Sequence, residues 1–567
     1  MLKGQSEPQI AKVVGIGAFI TTIIVGAWWG TDPVNVPKLF TLTITAAISL
    51  ALFLVGFDKK ILKSRKPLYI SLICFLFLSF LSTIFSTEAV LMSFYGVFGR
   101  NNGFLSYLSL AILFFIVSQF QNRHSFNVLL KAFYFSGLFN VAYCGLSIAG
   151  IELIPWNNIF NTILGTFGNP NFIGAFLGMF ATYLFSTLFD RDCDIRVKTF
   201  NFVVLIVTCY QILYSNAIQG IIVALGGCAL VLFFFIRTYP RMRVFTALYS
   251  IAVLFVGMVS VLGALQIGPL AELIYKASVS LRGEYWQAGI NMGLSNPFLG
   301  VGMDSYGAWY RQSRDASALV FPGPDTTANA AHNVAIDIFA SGGFPLLISY
   351  LLILAFTFLS IIRGLKRSKQ FDFTFVTLVS IWLGYQVQSL VSINQIGLSI
   401  WGWILGGAII GYERISYLDK EPQNQKLEGK KGVIGKKNPR KEAQPSTVVA
   451  VFVGSLVGGL IALPPLAADI KWRSALSSGS QEQLESAVVQ FPTVPTRLAE
   501  GVQIFAQNNL PDLARKYALI LIEKYPNNFN SWGAYAQLTD LTQEEKSLIL
   551  ENLRRLDPLN PKIKSND

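Results

Sequence analysis

The sequence predicts an all-α, polytopic membrane helical bundle carrying a soluble helical-repeat tail. Three observations predict it. Of 567 residues, 53% are hydrophobic and only 14% charged, too apolar for an ordinary soluble domain. Apolar runs of about 18 residues recur along the chain, without the ten-residue alternation of a membrane β-barrel. Lys and Arg gather in every second connection between those runs, the pattern that orients helices in a bilayer. The net charge of +13 therefore reports topology and gives no reason to expect a nucleic-acid partner.

In chain order, thirteen membrane helices are expected at 13–30, 39–56, 68–85, 103–119, 127–153, 170–189, 200–214, 218–236, 244–268, 334–362, 373–392, 398–411 and 448–466. Lys3 and Lys12 precede the first run, but no small-x-small cleavage site follows Trp28-Trp29, so it reads as a retained helix. With the N-terminus inside, the inner connections 57–67, 190–199, 237–243 and 363–370 hold five, three, three and four Lys or Arg. The inner connection 120–126 holds one, and the short outer connections hold only Lys38 and Arg100. The alternation never breaks. The chain then divides into four segments: a membrane domain at 1–411 with a long outer loop at 269–334, a basic inner linker at 412–447, a last membrane helix at 448–466, and an exoplasmic tail at 467–567. Four of the five cysteines lie within apolar runs and Cys193 in a short polar loop, so no disulfide framework is implied.

The tail is helical and recurs. Gln490-Phe491-Pro492, Lys524-Tyr525-Pro526 and Leu556-Asp557-Pro558 end similar segments, their prolines 34 and 32 residues apart. That spacing is close to the tetratricopeptide period of about 34, so the tail resembles a short tetratricopeptide-like array. Such helix pairs bind a protein partner or brace a neighbouring domain.

The polar stretch Ile274–Gly343 interrupts the apolar chain and collects Arg282, Arg311, Arg314, Trp286, Trp309 and His332, one of only two histidines. Chemistry in a membrane protein is expected where such groups gather. The order Arg282-x-x-x-Trp286, Asn296-Pro297-Phe298-Leu299-Gly300-Val301-Gly302, Ala331-His332-Asn333 and Gly342-Gly343 resembles the O-antigen ligase and polymerase family. Tyr95–Gly103 and Gly165–Phe172 resemble further outer-face motifs of its members with repeat tails.

The resemblance implies a metal-independent membrane glycosyltransferase of the GT-C type in a bacterial plasma membrane. It would move a glycan from a polyprenyl (undecaprenyl) diphosphate to an acceptor hydroxyl of a glycan, lipid or protein, on the outer face, with no cofactor. The residues suit that chemistry. A diphosphate leaving group needs fixed cations, which Arg282 and then Arg100 would supply as bidentate donors. His332 would accept the acceptor's proton, since an imidazole titrates near neutrality. Trp286, Trp309 and Tyr310 either stack on sugar or form an interfacial aromatic belt. Arg311 and Arg314 would face the acceptor or solvent, and Asn169 would touch substrate or shape the turn at Pro170.

One place departs from the family. Many members have Ser-Arg-Gly at the outer start of a middle helix, where this chain reads Ser215-Asn216-Ala217-Ile218-Gln219-Gly220. Gln219 can hydrogen-bond a phosphate but cannot neutralise it. Asp190-x-Asp192 falls in an inner loop, and no other metal or nucleotide motif occurs, so no metal ligands are expected. Two competitors stand beside the ligase: a polymerase joining lipid-linked repeats and, from other classes, a polysaccharide transporter or a cell-envelope scaffold. A transporter would need ionisable groups or broken helices at the midplane, and internal symmetry.

Overall fold

A computed structural model describes residues 7–56, 66–264, 277–368, 370–418 and 445–564. The basic linker expected at 412–447 lies largely outside the described residues, as does the start of the long outer loop. Among the described residues every regular element is helical, and nine helices are long and apolar enough to cross a membrane. The membrane part runs as α1 (Glu7–Ile23), α2 (Asn35–Val55), α3 (Lys66–Ile84), the short α4 (Val90–Tyr95), α5 (Phe104–Val117), α6 (Arg123–Ile148), α7 (Pro170–Thr187), α8 (Ile195–Tyr214), α9 (Ile218–Ile236) and α10 (Arg243–Ala264). It continues with α11 (Ala277–Ser295), α12 (Tyr306–Ser313), α13 (Ser317–Val320), α14 (Val334–Arg367), α15 (Phe373–Ser389), α16 (Ile396–Leu418) and α17 (Pro445–Ser478).

Each of the thirteen expected runs carries a helix, but α1, α5, α7 and α15 fall short of a full apolar span. In α1, α5 and α15 the shortfall is length, at 17, 14 and 17 residues, whereas α7 has 18 and nearly all of them are buried. A helix surrounded by other helices meets no lipid, so its sequence is freed from strict apolarity. Its Gly174 and Gly178 pack against Gly220 of α9 so closely that a Cβ at Gly178 would lie 2.6 Å from the Gly220 carbonyl oxygen. Within the expected loop at 269–334, α11 to α13 make residues 277–295, 306–313 and 317–320 helical.

The expected boundary at 466/467 falls inside one helix, because α17 runs unbroken through Pro464-Pro465 to Ser478. At 1.5 Å per residue its 34 residues span about 51 Å, more than a hydrocarbon core of about 30 Å. Gly454 and Gly458 seat it on α2, where their Cβ positions would come within 2.6 Å of the Ile48 Cα and 2.9 Å of the Ile44 Cα. Gly454→Leu is therefore expected to destabilise the protein by about 1–3 kcal/mol or part α17 from α2. Thermal unfolding in detergent, with accumulation in membranes, checks this.

Connections that the charge pattern puts on one side meet at one end of the bundle. Asn35 donates to the Gly99 carbonyl (2.6 Å), Asn333 to Leu390 (3.0 Å), Thr162 to Tyr214 (2.7 Å), and Asp469 of α17 accepts from the Thr31 amide (3.0 Å). At the other end Glu7 accepts from the amides of Gln121 and Asn122, and Arg237 donates to Leu365. Lys38 is fully buried and caps the end of α1, its ammonium donating to the carbonyls of Thr21, Thr22 and Ile24 at 2.6–3.1 Å. Beyond α17, helices at 481–488, 495–507, 511–524, 529–536 and 543–556 pack in sequence around a core that includes Leu498, Tyr517 and Trp532.

Candidate active site

The glycine motifs build a backbone junction. Gly343 breaks α14 with φ 66° and ψ −165°, a conformation that only glycine takes without strain. The opened backbone bonds to the turn at 297–302: Val301 N–H to Ala340 O (2.9 Å), Gly302 N–H to Ser341 O (3.1 Å), Phe344 N–H to Pro297 O (2.8 Å). Gly300 and Gly302 also have positive φ, and a Cβ on either would strike Ser341 or Ser86. These glycines act as architecture: they bring the 297–302 turn against α14, and the chain then delivers Asp304.

Asp304, which no sequence motif singles out, ties the 97–102 loop to the end of the glycine turn. Its carboxylate accepts from the amides of Val97 (2.7 Å) and Asn102 (3.2 Å) and forms an ion pair with Arg100. Burial pushes the Asp304 carboxyl up, and the Arg100 guanidinium and the two amides oppose that shift. Arg100 therefore reaches the site already neutralised by a carboxylate, while its Nε is buried without a partner among the described residues. Asn101, Asp304 and His332 have positive φ, half of the six non-glycine residues described that do. Such strain persists only where surrounding contacts enforce it.

His332 precedes α14, whose N-terminus is capped by Asn333, with Oδ1 accepting from the amides of Ala335 (3.0 Å) and Ile336 (3.2 Å). The cap is thus Asn333, which leaves the imidazole for other work. Its half-buried ring stacks on Tyr285 with centroids 5.7 Å apart. Burial lowers its pKa to about 4, and the guanidinium groups of Arg282 and then Arg100 deepen the shift. With its pKa at about 4 the ring is neutral at pH 7. Among the described residues Arg282 has no ion pair. Asp337, one turn into α14, accepts from the Ala331 amide at 2.7 Å and stiffens the His332 turn.

The structure places the other expected residues as follows. Arg311 and Arg314, expected to face the acceptor or solvent, both bind Asp557 of the tail, at 2.7 and 2.6 Å, in a buried cluster. Asn169 is the N-cap of α7, accepting from the Asn171 amide, and so shapes the turn at Pro170. Trp286 packs against the buried cluster that includes Ala288, Met292 and Tyr306, with its indole N–H buried and unpartnered among the described residues. Trp309 donates to Thr87 at 2.9 Å, and Tyr310 is fully buried. Gln219 is buried in the first turn of α9 with both side-chain polar atoms unpaired among the described residues. Among the described residues no group of three His, Cys, Asp or Glu could hold a metal ion.

Residues 200–351 match the family model described as O-Antigen ligase. That segment is an O-antigen ligase domain. It holds Gln219, Arg282, Trp286, Arg311, Arg314 and His332, while Arg100 and Asn169 lie before it. The match supports a function of the O-antigen ligase or polymerase type, in a chain whose apolar helices support a multi-pass membrane protein. No curated protein matches the chain.

Proposed function

We propose that the protein transfers a glycan from a polyprenyl diphosphate to an acceptor hydroxyl at the exoplasmic edge of a bacterial plasma membrane, without a metal. One arrangement carries the reading: a half-buried His332 stacked on Tyr285, its pKa lowered by burial and by the Arg282 guanidinium, which no carboxylate among the described residues pairs. In the proposed reaction the acceptor oxygen attacks the anomeric carbon while His332 takes its proton. The bond from that carbon to the diphosphate oxygen breaks, and the diphosphate leaves with the electron pair against Arg282. Arg100 contributes less, because Asp304 already balances it.

The charges predict a pH signature. Arg282 and Arg100 help hold His332 at about 4 in the free enzyme, and a bound diphosphate brings opposite charge that raises it again. The acid limb of kcat should then lie at higher pH than that of kcat/KM, since the first reports the complex and the second the free enzyme. Coincident limbs would count against this placement of the diphosphate. A product assay with a defined lipid-linked donor tests the reaction itself. Movement of glycan onto a new acceptor supports ligase activity, longer lipid-linked chains indicate a polymerase, and no covalent change favours a transporter or scaffold.

A further inference from the structure

The end of the tail is built into the ligase domain. Asp557 follows the helix Gln543–Leu556 and is only 1% exposed. Its carboxylate receives Arg311 at 2.7 Å, Arg314 at 2.6 Å and the Asn560 side-chain amide at 3.0 Å. Both guanidinium groups also donate to the Pro324 carbonyl, at 3.1 and 2.9 Å, and Arg311 lies 4.2 Å over the Phe529 ring. Two guanidinium groups desolvated around one carboxylate hold their geometry tightly, because losing that carboxylate strands buried charge.

The arginines sit at the C-terminal end of α12. From the same helix Tyr306 donates its hydroxyl to the Tyr285 carbonyl at 2.5 Å, and Tyr310 packs edge-on against the Tyr285 ring at 5.8 Å. Tyr285 in turn is the ring on which His332 stacks. An unbroken series of contacts therefore runs from Asp557 through Arg311 and Arg314, α12 and Tyr285 to the imidazole. We propose that Asp557 is a positioning residue for His332, fixing α12 and through it the ring that orients the imidazole. Its activity arm rests on the transferase reading above. Docking of the tail has separate supports: Asn527 donates to the Thr87 carbonyl (2.9 Å), Lys562 pairs with Asp325 (2.6 Å), and Asp469 holds Thr31. Asp557 differs from these in gripping α12 itself.

Full-length Asp557→Asn should lower kcat about 10- to 100-fold, as a displaced base does, with KM for the lipid-linked donor within about twofold and the tail as resistant to limited proteolysis as in wild type. Asp557→Glu should recover most of kcat, and Asn527→Ala, which loosens the tail away from α12, should keep it. A second readout needs no turnover. Diethyl pyrocarbonate labelling, followed by peptide mass spectrometry, should reach His332 several-fold faster in Asp557→Asn, with His124 unchanged as the internal reference. Wild-type kcat and labelling in Asp557→Asn would overturn the proposal. So would parallel losses in Asp557→Asn and Asn527→Ala with a protease-sensitive tail, which would make Asp557 a docking contact alone. Faster His332 labelling in a protein that transfers no glycan would uphold the positioning and remove the transferase reading instead.

Discussion

Replacing His332 by alanine is expected to lower kcat for glycan transfer by roughly 10²–10⁴-fold, the range of a lost general base, with unchanged abundance in the membrane. The fold should survive because His332 carries little of it. The cap of α14 is Asn333, and the turn is braced by the Ala331 amide on Asp337. The left-handed backbone at position 332, φ 56°, costs an alanine about 1–2 kcal/mol. That cost is separable by a second variant: His332→Asn accepts the same backbone readily and should be as inactive as alanine. Single-turnover transfer from a defined lipid-linked donor measures both. Activity within about twofold of wild type in either variant would remove His332 from the chemistry.

Hydropathy makes a helix legible where lipid touches it, which is why α2, α3 and α9 stand out and why α7, wrapped by protein, is less apolar than a spanning helix needs to be. The helix α11 is hidden for the opposite reason: its sequence, with Arg282, Glu284 and Gln287, is polar enough to pass for a loop. The glycines around 300 and 343 are visible as a motif, but their reason is not. Only the meeting of two backbones roughly 40 residues apart shows that they serve a junction. Asp304 is silent in the sequence because a lone acid after a glycine turn announces nothing until Arg100, 204 residues away, closes on it. Arg311 and Arg314 mislead for the same reason. Two arginines in a polar segment look available to a substrate unless the carboxylate that consumes them, 246 and 243 residues further on, is known to fold back.

That difference between cations paired with a carboxylate and Arg282, which pairs with none among the described residues, makes Arg282 the second large effect. Arg282→Ala should lower kcat/KM by roughly 10²–10³-fold, the scale of one lost electrostatic contact to developing charge. Arg282→Lys should recover only part of it, because an ammonium restores the charge but not the paired donors that match a diphosphate. Arg100→Ala should behave differently. It unpairs a buried Asp304 that also holds the amides of Val97 and Asn102, so its first consequence is a loosened 97–102 loop and lower protein abundance. Arg282→Ala carries an internal check as well. Arg282 helps depress His332, so its loss must let that pKa rise toward the ordinary histidine value, and the acid limb of the residual kcat/KM must move to higher pH. A loss of activity with no such movement would mean that Arg282 acts at a distance from the imidazole, and that the two residues do not share one site.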